Sequence, residues 1–143
     1  MFSVKELRKI VSKKYIIFKT ERNKVSKMSK IDDLKALGVD IEEALDRFMG
    51  NGALYEKMLN KLTTAVKDVQ VLPCFEAGDY KAALENAHAL KGVTGNLSVT
   101  PLYKGYTEIV DELRADNPEK ARKILDDILP VQEQIIACIE KYQ

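Results

Sequence analysis

A chain of 143 residues with an apolar fraction of 45% is long enough for one globular domain with a single core, plus a tail. Its apolar runs are far shorter than the roughly 18 residues that a membrane span needs, and its N-terminus lacks the apolar core of a secretory signal. Cys74 and Cys138 are far apart and there is one histidine, so a disulfide framework or a zinc site is poorly supported, and two reduced core thiols in a cytoplasmic protein are expected.

The net charge of +1 hides an uneven distribution along the chain. Residues 1–30 contain ten Lys or Arg against only Glu6 and Glu21, so the remainder of the chain is acidic overall. This asymmetry predicts a basic N-terminal extension at 1–30 and a separate domain at 31–143.

The basic extension has three possible interpretations. It could bind anionic lipid or nucleic acid through its positive charge. It could equally be a solvated, loosely ordered or disordered extension, which is the simpler interpretation. A third possibility is that the natural start is Met28, where a smoother sequence begins, so that the residues before it have no role.

Beyond the extension, capping and breaking residues predict a series of helices. Gly38 ends a short segment, and Asp40 is a suitable N-cap for a short helix after it. The apolar residues from Leu54 to Leu72 repeat at helical spacing and predict a long helix that ends near Gly78, whose last turns Pro73 kinks or interrupts.

The sequence predicts three further long helices, each with a clear capping signal at its start. Asp79 is placed to cap the helix that carries the histidine, His88. Thr100-Pro101 and Asn117-Pro118 each combine a capping residue with a proline at the first helical position. Four long helices joined by short turns predict an all-α, up-down four-helix bundle, preceded by a short helix and the basic extension.

The histidine lies in the sequence HALKGVTGNL, residues 88–97. On a helix, His88, Lys91, Gly92 and Gly95 share one face because they are spaced i, i+3, i+4 and i+7. The residue at i+4 normally covers residue i, and Gly92 has no side chain to do so. Lys91 can turn its ammonium toward a group that the imidazole carries. The spacing therefore predicts an uncovered, reactive histidine beside a cation.

This segment closely resembles the H-x-L-K-G-x-x-x-N-L signature of histidine phosphotransfer (HPt) domains. Further stretches are similar to the same family: residues 38–48, which read GVDIEEALDRF, then Leu54-Tyr55, and then Gly78-Asp79-Tyr80 just before the histidine helix. The resemblance covers roughly residues 31–143 and leaves the basic extension out.

What the resemblance implies is a phosphorelay carrier. His88 matches the residue that accepts a phosphoryl group from a receiver-domain aspartate and passes it to another receiver. Lys91 matches the lysine that offsets phosphate charge, and Gly92 matches the small residue that lets the receiver approach. Gly95 matches a position that looks structural, and Arg114 on the next helix could be a second cation.

The partners implied are the receiver domains of response regulators and hybrid histidine kinases. A neutral imidazole is a good nitrogen nucleophile, and a nearby lysine favours a bound phosphoryl group. The sequence shows no nucleotide-binding loop and no carboxylate cluster for a metal, so Mg²⁺ is expected on the partner receiver and no cofactor on this chain. We therefore expect a cytoplasmic, monomeric carrier and signalling substrate rather than an autonomous enzyme.

Other classes of function stay open at this stage. One is a helical interaction module without phosphotransfer, against which the intact set of His88, Lys91 and Gly92 argues. Another is a membrane-surface or nucleic-acid binder that acts through residues 1–30, although no nucleic-acid partner is expected. A hydrolase with His88 as general base is the weakest alternative, because no nucleophile or orienting acid stands at a convincing spacing.

Overall fold

The computed structural model describes residues 29–142, and all the regular structure in this range is helical, which confirms the all-α prediction. No strand occurs in the described range, and none of its helices is long and apolar enough to cross a membrane. A helical stretch at residues 29–36, α1, precedes six further helices: α2 (Ile41–Arg47), α3 (Gly52–Asp68), α4 (Leu72–Glu76), α5 (Tyr80–Asn96), α6 (Thr100–Arg114) and α7 (Pro118–Lys141).

The folded domain includes residues 29 and 30, which the sequence assigned to the extension. Lys30 is buried, with 4% of its surface exposed, and its Nζ lies 3.3 Å from Oε1 of Glu56 on α3. At the other end of the chain, the Tyr142 hydroxyl donates to Oδ2 of Asp33 at 2.7 Å and so ties the C-terminus to α1. The predicted basic extension up to residue 28, including its possible binding of lipid or nucleic acid, lies outside the described residues.

Two of the predicted caps form as hydrogen bonds. Oδ1 of Asp40 accepts from the Glu43 amide and Oδ1 of Asp79 accepts from the Ala82 amide, each at 3.1 Å. Such caps satisfy amides that the helix itself leaves without partners and stabilise it by about 1 kcal/mol each. The start of α6 differs from the prediction, because Thr100 is the first helical residue rather than the cap.

The long helix predicted from Leu54 to near Gly78 is two helices, so the predicted kink or interruption at Pro73 is an interruption. Helix α3 ends at Asp68, and the separate five-residue α4 begins at Leu72 with Pro73 in its first turn. Proline lacks an amide hydrogen and crowds the preceding turn, so it is tolerated where a helix starts but not inside one that continues. Pro73 therefore marks the start of a new helix here.

The long helices contact one another in a cycle: α3 packs on α5, α5 on α6, α6 on α7, and α7 on α3. Helices α3 and α5 are antiparallel, since the hydroxyl of Tyr55 near the start of α3 donates to the carbonyl of Leu97 beyond the end of α5 at 2.8 Å. Burial raises the pKa of Tyr55 well above its usual value, so this donor stays protonated. Helices α6 and α7 are also antiparallel, and Tyr106 donates to Gln132 between them.

One contact between α3 and α7 does not follow the simple up-down pattern. Nζ of Lys67 lies 2.9 Å from Oε1 of Glu140, and these residues belong to the last turns of the two helices. In an up-down bundle the first and fourth helices are antiparallel, which places their C-termini at opposite ends. The structure therefore establishes the all-helical class, and the strict bundle topology stays a prediction.

Gly105 allows α6 to approach α7 closely. A Cβ at this position would lie 2.5 Å from Cγ2 of Ile128, which is nearer than side-chain atoms can pack. Gly105 and its neighbour Tyr106 are both buried, so the added methyl could not turn into solvent.

We expect Gly105→Ala to lower the free energy of unfolding by about 1–3 kcal/mol, because overpacking at the α6–α7 contact outweighs the better helix propensity of alanine. Urea denaturation followed by circular dichroism measures this difference. Gly92→Ala is the matched control: it is exposed on α5 with no atom within 4 Å of the added Cβ, so alanine should leave stability unchanged or raise it. Equal effects of the two substitutions would show that the α6–α7 contact is not tight.

Candidate functional site

His88 is exposed in the middle of α5. The Asp79 cap fixes the start of this helix, and its buried face then follows from the helical repeat. The residues that α5 buries against the other helices are Ala83, Ala87, Leu90 and Thr94. His88 follows one of these residues along the chain, so the same repeat that packs the helix turns the imidazole toward solvent.

The two glycines on the His88 face have different surroundings. A Cβ at Gly92 would meet nothing within 4 Å, so the surface over this turn of α5 is open. A Cβ at Gly95 would lie 2.9 Å from ring carbons of Tyr103 on α6. Gly92 therefore leaves the imidazole of His88 accessible, whereas Gly95 lets the aromatic ring of α6 pack directly on the α5 backbone.

A cleft of about 630 Å³ brings four of the predicted site residues together. Its floor is the exposed face of α5, with His88, Lys91, Gly92 and Gly95. This volume falls within the range of small-molecule pockets, but the cleft is about half open to solvent and its floor is a helix surface. Its shape is better suited to contact with another macromolecule than to enclosing a ligand.

Arg114 lies away from this cleft. It is exposed in the last turn of α6 and is not among the residues that line the cleft. Tyr103, in the first turn of α6, packs beside Gly95. From this contact α6 extends past the level of His88 before it reaches Arg114 at its other end. The cation that α6 contributes to the cleft is Lys104.

The walls of the cleft come from residues that the sequence did not single out. Glu43 and Arg47 of α2 form one wall, and Tyr103 and Lys104 of α6 form the other. The i, i+4 spacing of Glu43 and Arg47 was a visible signal for an ion pair on α2. Nothing in the sequence indicated that this pair faces the histidine helix, because that depends on how α2 docks.

A hydrogen-bonded group, here named the Ser98 cluster, joins α2 to the end of α5 and consists of Glu43, Arg47, Gly95 and Ser98. Nη1 of Arg47 donates to the carbonyl of Gly95 and, at 3.2 Å, to Oγ of Ser98, while its Nη2 donates to Oε1 of Glu43 at 2.9 Å. Oγ of Ser98 donates to the same carboxylate at 2.9 Å. The amide of Asp40 also donates to the Ser98 carbonyl at 2.9 Å.

Ser98 has a left-handed backbone conformation, with φ of +53°. Helices often end in this way, usually with glycine, since an L-residue in this region costs about 1–2 kcal/mol. The amide of the next residue, Val99, donates to the Thr94 carbonyl at 2.9 Å and closes the end of α5.

The charge of the cleft favours an anion. Among the described residues that line it, Arg47, Lys91 and Lys104 are cationic and Glu43 is the single carboxylate. Arg47 is already paired with Glu43, whereas Lys91 and Lys104 form no ion pair within the described part of the chain. No group of three or more His, Cys, Asp or Glu in residues 29–142 could hold a metal ion. The arrangement therefore offers an accessible nucleophile beside free positive charge.

The whole chain has one histidine, so its accessibility can be measured directly. We expect Gly92→Gln to slow the reaction of His88 with diethylpyrocarbonate severalfold, because a side chain at i+4 covers the imidazole. The absorbance of the modified imidazole reports the rate. Ala89→Gln is the control, since it adds the same side chain at another exposed position of α5. A rate that is unchanged by Gly92→Gln would show that position 92 does not control access.

The chain matches no family model, and no curated protein or solved structure shows significant similarity to it. The resemblance of residues 88–97 to histidine phosphotransfer domains therefore rests on the residues of this chain alone. Its function has to be inferred from those residues and from the geometry of the cleft around them.

Proposed function

We propose that this protein is a histidine phosphotransfer carrier, which accepts a phosphoryl group on His88 from a receiver-domain aspartate and passes it to the aspartate of another receiver. One observation carries the proposal: His88 is exposed in the middle of a helix, uncovered at Gly92, with Lys91 one turn away in a cleft rich in positive charge.

The chemistry needs little more than these groups. A ring nitrogen of His88 attacks the phosphorus of the receiver's aspartyl-phosphate, the new P–N bond forms as the P–O bond breaks, and the aspartate leaves as a carboxylate. Such transfers depend mainly on in-line positioning and on stabilisation of the charge on the phosphoryl oxygens. The open face over Gly92 gives the receiver its approach, and the ammonium of Lys91 favours the transferred group.

The remaining parts of the reaction belong to the partner in this proposal. The receiver supplies the aspartate and binds Mg²⁺ through its own carboxylates, so this chain acts as a carrier rather than as an autonomous enzyme. Its partners are receiver domains of response regulators and of hybrid histidine kinases, and it works as a cytoplasmic monomer. The four long helices serve as an up-down bundle that keeps α5 rigid, with the α3–α7 pair as its irregular contact.

We expect incubation with a phosphorylated receiver domain to label His88 with an acid-labile, base-stable phosphoryl group, as a phosphoramidate bond requires. His88→Gln should abolish the label while leaving the circular dichroism spectrum unchanged, because the residue is exposed. A receiver that binds both proteins without labelling either would indicate an interaction module instead. Equal labelling of His88→Gln and the wild type would refute the assignment of His88.

Substitution of Lys91 tests the proposed function a second time, through a partial loss of the transfer rate. We expect Lys91→Ala to reduce the transfer rate roughly tenfold, which corresponds to about 1.4 kcal/mol of lost transition-state stabilisation. Lys123→Ala is the control, because it removes the same charge from an exposed position on α7 that does not line the cleft. Rapid-quench measurement of phosphorylated His88 gives both rates. If the two alanine variants lose activity equally, Lys91 has no specific role.

A further inference from the structure

We propose that Arg47 is a positioning residue for the His88 site, which holds α2 against the end of α5 and so fixes one wall of the cleft. The inference rests on the proposed function, because a wall matters only if a partner docks against it. Arg47 itself touches neither the imidazole nor the group transferred to it. Its effect would pass through the Ser98 cluster.

The hydrogen bonds of Arg47 span two elements. Its guanidinium donates to a backbone carbonyl of α5, to the Ser98 hydroxyl beyond α5, and to Glu43 within α2. A planar, forked donor can satisfy three acceptors in fixed directions, which the single ammonium of a lysine does less well. Glu43 and Arg47 also line the cleft, so whatever holds these two side chains sets the shape of that wall.

Helix α2 needs such anchoring because it is short. It has seven residues, and its buried residues are Ile41 and Ala44. A helix of this length is not stable by itself in water, so its position is set by its tertiary contacts. Three hydrogen bonds between this segment and the end of α5 meet at Ser98, and they involve the Asp40 amide, the Arg47 guanidinium and the Glu43 carboxylate. A fourth runs from Arg47 to the Gly95 carbonyl.

The strained backbone of Ser98 is consistent with this role. Glycine would adopt its φ of +53° without strain, but glycine has no hydroxyl to accept from Arg47 and donate to Glu43. Strained residues persist where the surroundings hold them in place, and they often do so at functional sites. Asp116 provides a comparison, because it has nearly the same conformation, with φ of +61°, in the turn after α6 and away from the cleft.

Distance separates this role from direct catalysis. Gly95 lies seven residues after His88 on α5, which is roughly 10 Å along the helix axis. The Ser98 cluster is thus too far from the imidazole to stabilise the transferred group, yet it lies in the same cleft. Loosening it should weaken the productive docking of the receiver and leave the transfer step within the docked complex intact.

The experiment measures KM and kcat for transfer to His88 from a phosphorylated receiver domain. Two variants open the cluster in different ways: Ser98→Gly removes the bridging hydroxyl without adding strain, and Arg47→Lys keeps the charge but loses the fork. We expect each to raise KM by roughly fivefold or more while kcat stays within about twofold of wild type. Asp116→Gly is the matched control, since it introduces glycine at an equivalent left-handed position and should leave KM unchanged.

An unchanged KM for either Ser98→Gly or Arg47→Lys overturns the proposal, and so does an equal rise for Asp116→Gly. Amide hydrogen exchange of α2 separates this inference from the proposed function. If wild-type protein accepts no phosphoryl group from any receiver, the proposed function is wrong, and exchange then decides whether Arg47 holds α2. Faster exchange of α2 amides in both cluster variants, but not in Asp116→Gly, supports that role, and unchanged exchange rejects it.

Discussion

Two glycines let α6 approach its neighbours closely: Gly95 of α5 lies beside the ring of Tyr103, and Gly105 of α6 lies against Ile128 of α7. Helix α6 is therefore fixed on both sides by contacts between a backbone and a side chain, where small shifts are not tolerated. This packing fixes the positions of the α5 floor and the α6 wall of the cleft. The opposite wall, α2, is held differently, through hydrogen bonds to the end of α5.

The part of the site that could be predicted from the sequence lies on one helix, α5, and follows from its helical repeat. His88, Lys91, Gly92 and Gly95 belong to a single helix, so their spacing alone places them on one face, and the structure puts all four in one cleft. The all-helical class was predictable for a similar reason. The capping residues Asp40 and Asp79 each accept a hydrogen bond from an amide only three residues later in the chain.

Features that depend on how helices dock could not be predicted. Arg47 and Lys104 reach the cleft from other helices, and Arg114 misses it, because the register between α5 and α6 is set by the contact of Tyr103 with Gly95. The spacing of residues within one helix does not determine the register between two helices. Pro73 illustrates a local ambiguity, since a proline can either kink a helix or start a new one, and the sequence allowed both.

If the protein is the carrier proposed above, the open surface over Gly92 also bears on how long it could stay loaded. A face open enough for a receiver would be open to water as well, and no side chain of α5 shades the imidazole at the position where one normally would. A phosphoryl group on His88 would thus be exposed to hydrolysis between one partner and the next. Its useful lifetime would be governed by how soon a receiver arrives, so the local concentration of receivers would determine how faithfully a signal is passed on.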